Sequence, residues 1–136
     1  MIQIIMGLKG SGKTKKLIDS INETVASAQG DVVCIEYGNQ LTYDVNYRVR
    51  LVNSKEYAID NPDKLKGLLC GLHAGNFDIT NVYIDNLYKT IGNDRATGEA
   101  FLLWCAEFAK VNNMKITITV SDDPALASEA VKAYLI

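Results

Sequence analysis

The chain has 136 residues, 48% of them hydrophobic and 22% charged. This is the balance of one folded domain, neither a disordered chain nor a comfortable pair of domains. The 14 Lys and Arg against 16 Asp and Glu leave a net charge of −2, so no global field draws the chain to nucleic acid or to an anionic membrane.

Ile2 to Met6 is a short apolar run that stops at Gly7, the pattern of a strand buried on both faces. No charged residues precede it, as a secretory signal would require, and nowhere do about 18 apolar residues run together to cross a bilayer. From Gly12 a helical pattern begins. Leu17, Ile18, Ile21, Val25 and Ala28 fall on one face, and Gly30 is expected to stop the helix. Val32-Val33-Cys34-Ile35 reads as a second buried strand, followed by a loop at Tyr37-Gly38-Asn39-Gln40. Val45 to Leu51 alternates apolar and polar residues, which predicts a half-exposed strand near a sheet edge.

Asn61-Pro62 opens a helix with a cap residue and a proline at the first helical position. Leu65, Leu68, Leu69 and Leu72 give it an apolar face, and Gly71 and Gly75 bracket its end. Asn81 to Asp85 reads as a strand that finishes on a carboxylate. The polar stretch Lys89 to Gly98 predicts a mobile loop. Phe101, Leu102, Trp104, Cys105, Phe108 and Ala109 form a helical stripe whose aromatics belong to the core. Met114 to Val120 is a further buried strand. Asp123-Pro124 begins a last helix carrying Leu126, Ala127, Ala130, Val131 and Tyr134, although Tyr134-Leu135-Ile136 reads equally as a vestigial strand. His73, the one histidine, stands near a helix end and is expected to be structural. Cys34, Cys70 and Cys105 are far apart, without metal or redox spacing, and are read as buried thiols in a reducing cytoplasm. Strands alternating with helices imply an α/β domain over residues 1–136. It is expected to be a three-layer α/β/α sandwich whose mostly parallel sheet binds ligands at the carboxyl ends of its strands.

One segment carries specific chemistry. Gly7-Leu8-Lys9-Gly10-Ser11-Gly12-Lys13-Thr14 fits G-x-x-x-x-G-K-[ST] between a strand and a helix. Its glycines let the backbone of Lys9, Gly10, Ser11 and Gly12 curl so that N–H groups point at phosphate, and the helix presents its positive end to the same anion. Lys13 is expected to reach the β- and γ-phosphates, and the Thr14 hydroxyl to hold Mg²⁺.

Through this Walker A motif the sequence resembles the P-loop NTPase superfamily. The resemblance implies the superfamily's fold and makes Asp85 similar to a Walker B aspartate that orders the surroundings of Mg²⁺. A guanine-reading N/T-K-x-D motif is missing. Asn61-Pro62-Asp63-Lys64 and Asn113-Met114-Lys115-Ile116 both fail it, so ATP is the nucleotide implied. Asn86 stands where many P-loop ATPases carry a glutamate after the aspartate. In the RecA-like branch the base instead ends the strand after the Walker A helix, and Glu36 occupies that place. Ser121, at the end of its strand, is similar in position to residues that sense the γ-phosphate. Arg95, in the expected loop, is the first candidate for an arginine finger, ahead of Arg48 and Arg50.

These readings predict a cytoplasmic, Mg²⁺-dependent ATP-binding protein with slow ATPase activity. Lys13, Glu36 and Asp85 would be its catalytic residues, and Thr14 and Asp85 its metal ligands. With no space for an effector domain, a protein partner or a second copy of the chain would carry its output. A kinase for a small nucleoside-type substrate is the alternative enzyme, since thymidine kinases share the opening layout, although their zinc-binding cysteine pairs are missing here. A non-catalytic nucleotide sensor is the third reading. Nothing in the sequence indicates nucleic acid as a partner.

Overall fold

The computed structural model describes residues 1–136. Five strands, β1 (Ile2–Gly7), β2 (Asp31–Glu36), β3 (Arg50–Asn53), β4 (Ile79–Ile84) and β5 (Lys115–Ser121), are interspersed with five helices, with no helix between β2 and β3 and two between β4 and β5. The helices are α1 (Lys13–Ser27), α2 (Pro62–Gly75), α3 (Leu87–Ile91), α4 (Arg95–Val111) and α5 (Glu129–Lys132). Single 3₁₀ turns follow β3 at Ser54–Tyr57 and β5 at Pro124–Leu126. The strands form one sheet in the order β1-β5-β4-β2-β3, and every pairing is parallel. This is the α/β class with a parallel sheet that the alternation of elements implies. All carboxyl ends therefore lie along one rim, and β5 sits between β1 and β4.

Side-chain parity divides the core into two layers. Ile35, Ile84 and Ile118 are neighbours across the register, and they join Ile4, Val33, Val82, Ile116 and Val120 in packing against α2 and α4 through Leu65, Leu69, Phe101, Leu102 and Cys105. Cys34 and Tyr83 face the other way, onto Leu17, Ile21 and Val25 of α1. Each strand is thus covered on both faces, as a sheet of parallel strands requires. No helix is long and apolar enough to cross a membrane.

Several expected elements change at their boundaries. Residues 45–48 form turns rather than strand, and only Arg50–Asn53 pairs, at the sheet edge beyond β2. Leu41, Val45 and Val49 pack against α1 at a spacing of four, and the N–H groups of Asp44 and Val45 both donate to the Leu41 carbonyl. The alternation that suggested a longer strand arises from this turn. The stretch expected to be mobile, 89–98, holds the end of α3 and the first turn of α4, which Asp94 caps by accepting from the Thr97 N–H at 3.1 Å. The last helix is reduced to the 3₁₀ turn and the single turn of α5. After it the chain runs beside β1, where Leu135 bridges to Ile4, and the Ile4 N–H donates to the Tyr134 carbonyl at 2.9 Å. Cys34 and Cys105 are buried as expected, whereas Cys70 is exposed on α2.

Candidate functional site

β1 delivers the chain to the carboxyl rim at Gly7, whose carbonyl accepts the Asp122 N–H at 3.1 Å. A tight turn follows. The Ser11 N–H donates to the Leu8 carbonyl at 3.1 Å, and Gly10 and Gly12 both stand at φ +84°, a left-handed conformation that a Cβ would strain. Lys13 opens α1, and its Nζ arches back to donate to the Leu8 carbonyl at 3.1 Å.

The N–H groups of Lys9, Gly10, Gly12, Lys13, Thr14 and Lys15 find no acceptor within the chain. A helix start leaves its first N–H groups without intrahelical partners, and Gly12 at the cap position offers no side-chain oxygen to relieve them. The same residues line a cleft of about 250 Å³ that contains no hydrophobic side chain and is closed by Asn86, Thr119 and Ser121. Unpaired donors, the positive end of a helix and the ammonium groups of Lys9 and Lys13 all favour an anion here, whereas the Lys15 ammonium is paired with Asp19 at 3.1 Å.

β4 brings a carboxylate to the same place. Asp85 follows its last residue, and its N–H donates to the Ile35 carbonyl at 2.9 Å. Thr14 Oγ1 lies 3.3 Å from each Asp85 carboxylate oxygen, a long and evenly shared contact. Thr119 Oγ1 donates to Asp85 Oδ1 at 2.8 Å and accepts the Asn86 N–H at 2.6 Å. Thr119 is 1% exposed, so this hydroxyl fixes both the carboxylate and the turn after β4. Asn86 adopts φ 56° there, a left-handed conformation that asparagine tolerates better than most residues. Sequence reading missed Thr119. Its signal is a second threonine, two residues after Thr117, inside an otherwise apolar strand.

Glu36 ends β2, one strand over from β4. Its carboxylate is buried, with Oε1 accepting the Gln40 N–H at 2.9 Å and Oε2 the Leu41 N–H at 3.1 Å. It does not line the cleft. In this arrangement Glu36 caps the segment after β2, and Asn53 Oδ1 assists by accepting the Gly38 N–H at 2.8 Å. Burial, and to a smaller extent the nearby carboxylates of Asp85 and Glu36, push the Cys34 thiol well above its ordinary range.

Arg95 is the first residue of α4 rather than part of a loop. Its Nε and one Nη each donate to Asp122, both at 2.9 Å, and Tyr88 donates its hydroxyl to the same carboxylate at 2.9 Å. The Arg95 hydrogen bonds, helped by those from Tyr88 and the Asp123 N–H, hold Asp122 down at about 2. Burial, and then its bond to Asp122, raise the Tyr88 phenol. His73 lies away from the cleft against Phe77 and Phe108, with ring centroids 5.3 and 6.3 Å distant.

The loop 7–14 and Asp85 therefore converge, with Ser121 on the wall of the same cleft, while Glu36 and Arg95 are bound elsewhere. The arrangement can hold a polyanion on main-chain N–H groups and place two hard oxygen donors, from Thr14 and Asp85, beside it. Hard oxygen donors next to a phosphate suit Mg²⁺, which needs few protein ligands in such sites. The chain matches no protein-family model, and no curated protein matches its sequence.

Proposed function

We propose that the protein binds ATP with Mg²⁺ in the cleft of the loop 7–14 and hydrolyses it slowly, working with a protein partner or a second copy of itself. One observation carries this reading. Six main-chain donors between Lys9 and Lys15, all but that of Ser11, have no internal acceptor, and they lie beside the Thr14–Asp85 pair. Within that reading the N–H groups and the Lys13 ammonium bind and orient the phosphates. Thr14 and Asp85 hold the metal, with Thr119 fixing the Asp85 rotamer. Mg²⁺, when bound, neutralises phosphate charge. Slow turnover follows from the other groups. Asn86 is no base, and the Glu36 carboxylate, buried and outside the cleft, must move before it can take a proton from water there. Arg95 must likewise leave Asp122 to reach a phosphate.

The experiment is equilibrium binding of radiolabelled ATP with and without Mg²⁺, followed by phosphate release over time. Mg²⁺-dependent binding that Lys13→Ala abolishes, with slow release of phosphate, is the expected result. An unchanged Lys13→Ala profile, or no retained ATP at millimolar supply, overturns it. The occupied Glu36 carboxylate also favours a non-catalytic nucleotide sensor. Binding without any phosphate release, unaltered by Glu36→Gln, selects that second reading.

A further inference from the structure

At the opposite end of the sheet from the phosphate loop lies a second cleft of about 420 Å³, within the range of small-molecule sites. It opens between the first residues of β2 and β3 and the last turns of α2. Arg48 and Arg50 line one side, with Arg50 standing opposite Val33 in the register. Both arginines are exposed, and neither guanidinium makes a hydrogen bond or ion pair within the chain, in contrast to the doubly bonded Arg95. The facing helix surface carries Gly71 and Gly75, one turn apart, where an added Cβ would meet nothing within 4 Å. The floor is apolar, from Val33, Leu72 and Ile79. Asp31 supplies the cleft's one carboxylate. It has no cationic partner and accepts from Asn76 Nδ2 at 2.8 Å.

We propose that this cleft is a second binding site, for a small organic anion with a flat apolar body and a phosphate or carboxylate group. A guanidinium presents paired N–H donors that match the two oxygens of such a group. Two unpaired guanidinium groups outweigh the single Asp31 carboxylate and leave the cleft one net positive charge. The side-chain-free stretch at Gly71 and Gly75 gives a planar body space against α2, and the apolar floor rewards its removal from water. Inorganic phosphate gains nothing from that floor. The site is independent of the phosphate-loop reading, because it shares no residue with that cleft.

The test is amide chemical-shift mapping of ¹⁵N-labelled protein titrated with phenylphosphonate, benzoate and inorganic phosphate. Phenylphosphonate or benzoate is expected to move the signals of Val33, Arg50, Leu72 and Gly75, whereas inorganic phosphate moves those of the loop 7–15. The comparison of the two aromatic probes distinguishes a phosphate from a carboxylate ligand. The exposed double variant Arg48→Gln/Arg50→Gln should weaken the aromatic probes by about tenfold or more, and Lys13→Ala should leave their binding unchanged. The variants' own spectra report whether the fold is kept. No shifts at the second cleft at millimolar probe, or equal affinity in the double variant, overturns the proposal.

Discussion

The Thr119 hydroxyl has two partners and no substitute. It donates to Asp85 and accepts from the Asn86 N–H, and the Thr119 side chain that makes both bonds is 1% exposed. Thr119→Val keeps the side chain's volume and removes both bonds, so stability should fall by ~1–3 kcal/mol, the penalty for unpaired buried polar groups. Denaturant unfolding measures that loss. If Asp85 serves the metal, the same variant should also weaken Mg²⁺-dependent ATP binding more than Mg²⁺-free binding. Equal loss in both would limit Thr119 to a structural role.

Asp122 makes a different prediction through its charge. Its folded value of about 2 lies below the ordinary 3.8. The unfolded chain therefore takes up the proton first as pH falls, and the stabilisation is complete above about pH 4 and lost toward pH 2. Asp122→Asn should unfold more readily than the parent at neutral pH, and the gap between their melting temperatures should close across that acid window. A gap constant from pH 7 to pH 2 would contradict the assignment to the carboxylate. These two residues also show what the sequence makes legible. The loop 7–14 is contiguous, so its chemistry can be read directly. Thr119 acquires its meaning only when β5 lies between β1 and β4, and Arg95 when α4 points back at the end of β5. Neither pairing leaves a local pattern.

Among the elements, the joint between α1 and β2 turns on Gly30. Its place after the apolar pattern predicts the stop of α1, but the helix ends at Ser27 with Ala28 at its cap. Gly30 instead permits a close crossing, since a Cβ there would fall inside the Asp78 carbonyl oxygen and the Thr80 side chain. The obstacle is partly backbone, so relief requires moving the start of β4. Gly30→Ala should cost ~1–3 kcal/mol or more, visible as a lower unfolding midpoint. A midpoint within error of the parent would show that β4 can shift freely. The same contrast between pattern and placement explains the segment after β2. Val45 and Val49 have a period that fits strand or turn. Which one forms is decided by Leu41, Val45 and Val49 docking on α1 and by Glu36 holding the Gln40 and Leu41 N–H groups, neither visible in a local window. Strongly periodic elements such as α4 need no such help, because burial of Phe101, Leu102, Cys105 and Ala109 follows from spacing alone.

At the scale of the whole molecule, the loop 7–14 is tied directly to the core. Gly7 closes β1 and accepts from Asp122, Lys13 starts the helix that covers the Cys34–Tyr83 face, and Thr14 reaches Asp85 after the central strand β4. A ligand that satisfies the free N–H groups there joins β1, α1 and β4 and must stabilise the folded state as a unit. Binding to the native state alone adds RT ln(1 + [L]/Kd), which is ~2.7 kcal/mol at a hundredfold excess over Kd. For a domain of this size that corresponds to a rise in melting temperature on the order of 10 °C. The rise should need ATP and Mg²⁺ together to be full, and it should vanish in Lys13→Ala. It should persist in Arg48→Gln/Arg50→Gln, whose changes lie at the far end of the sheet. Thermal unfolding of the three proteins with ATP alone, Mg²⁺ alone and both measures each term. A rise that survives Lys13→Ala would mean that the ammonium arched over Leu8 is not needed to hold ATP, and it would contradict the role given to Lys13 in binding the phosphates.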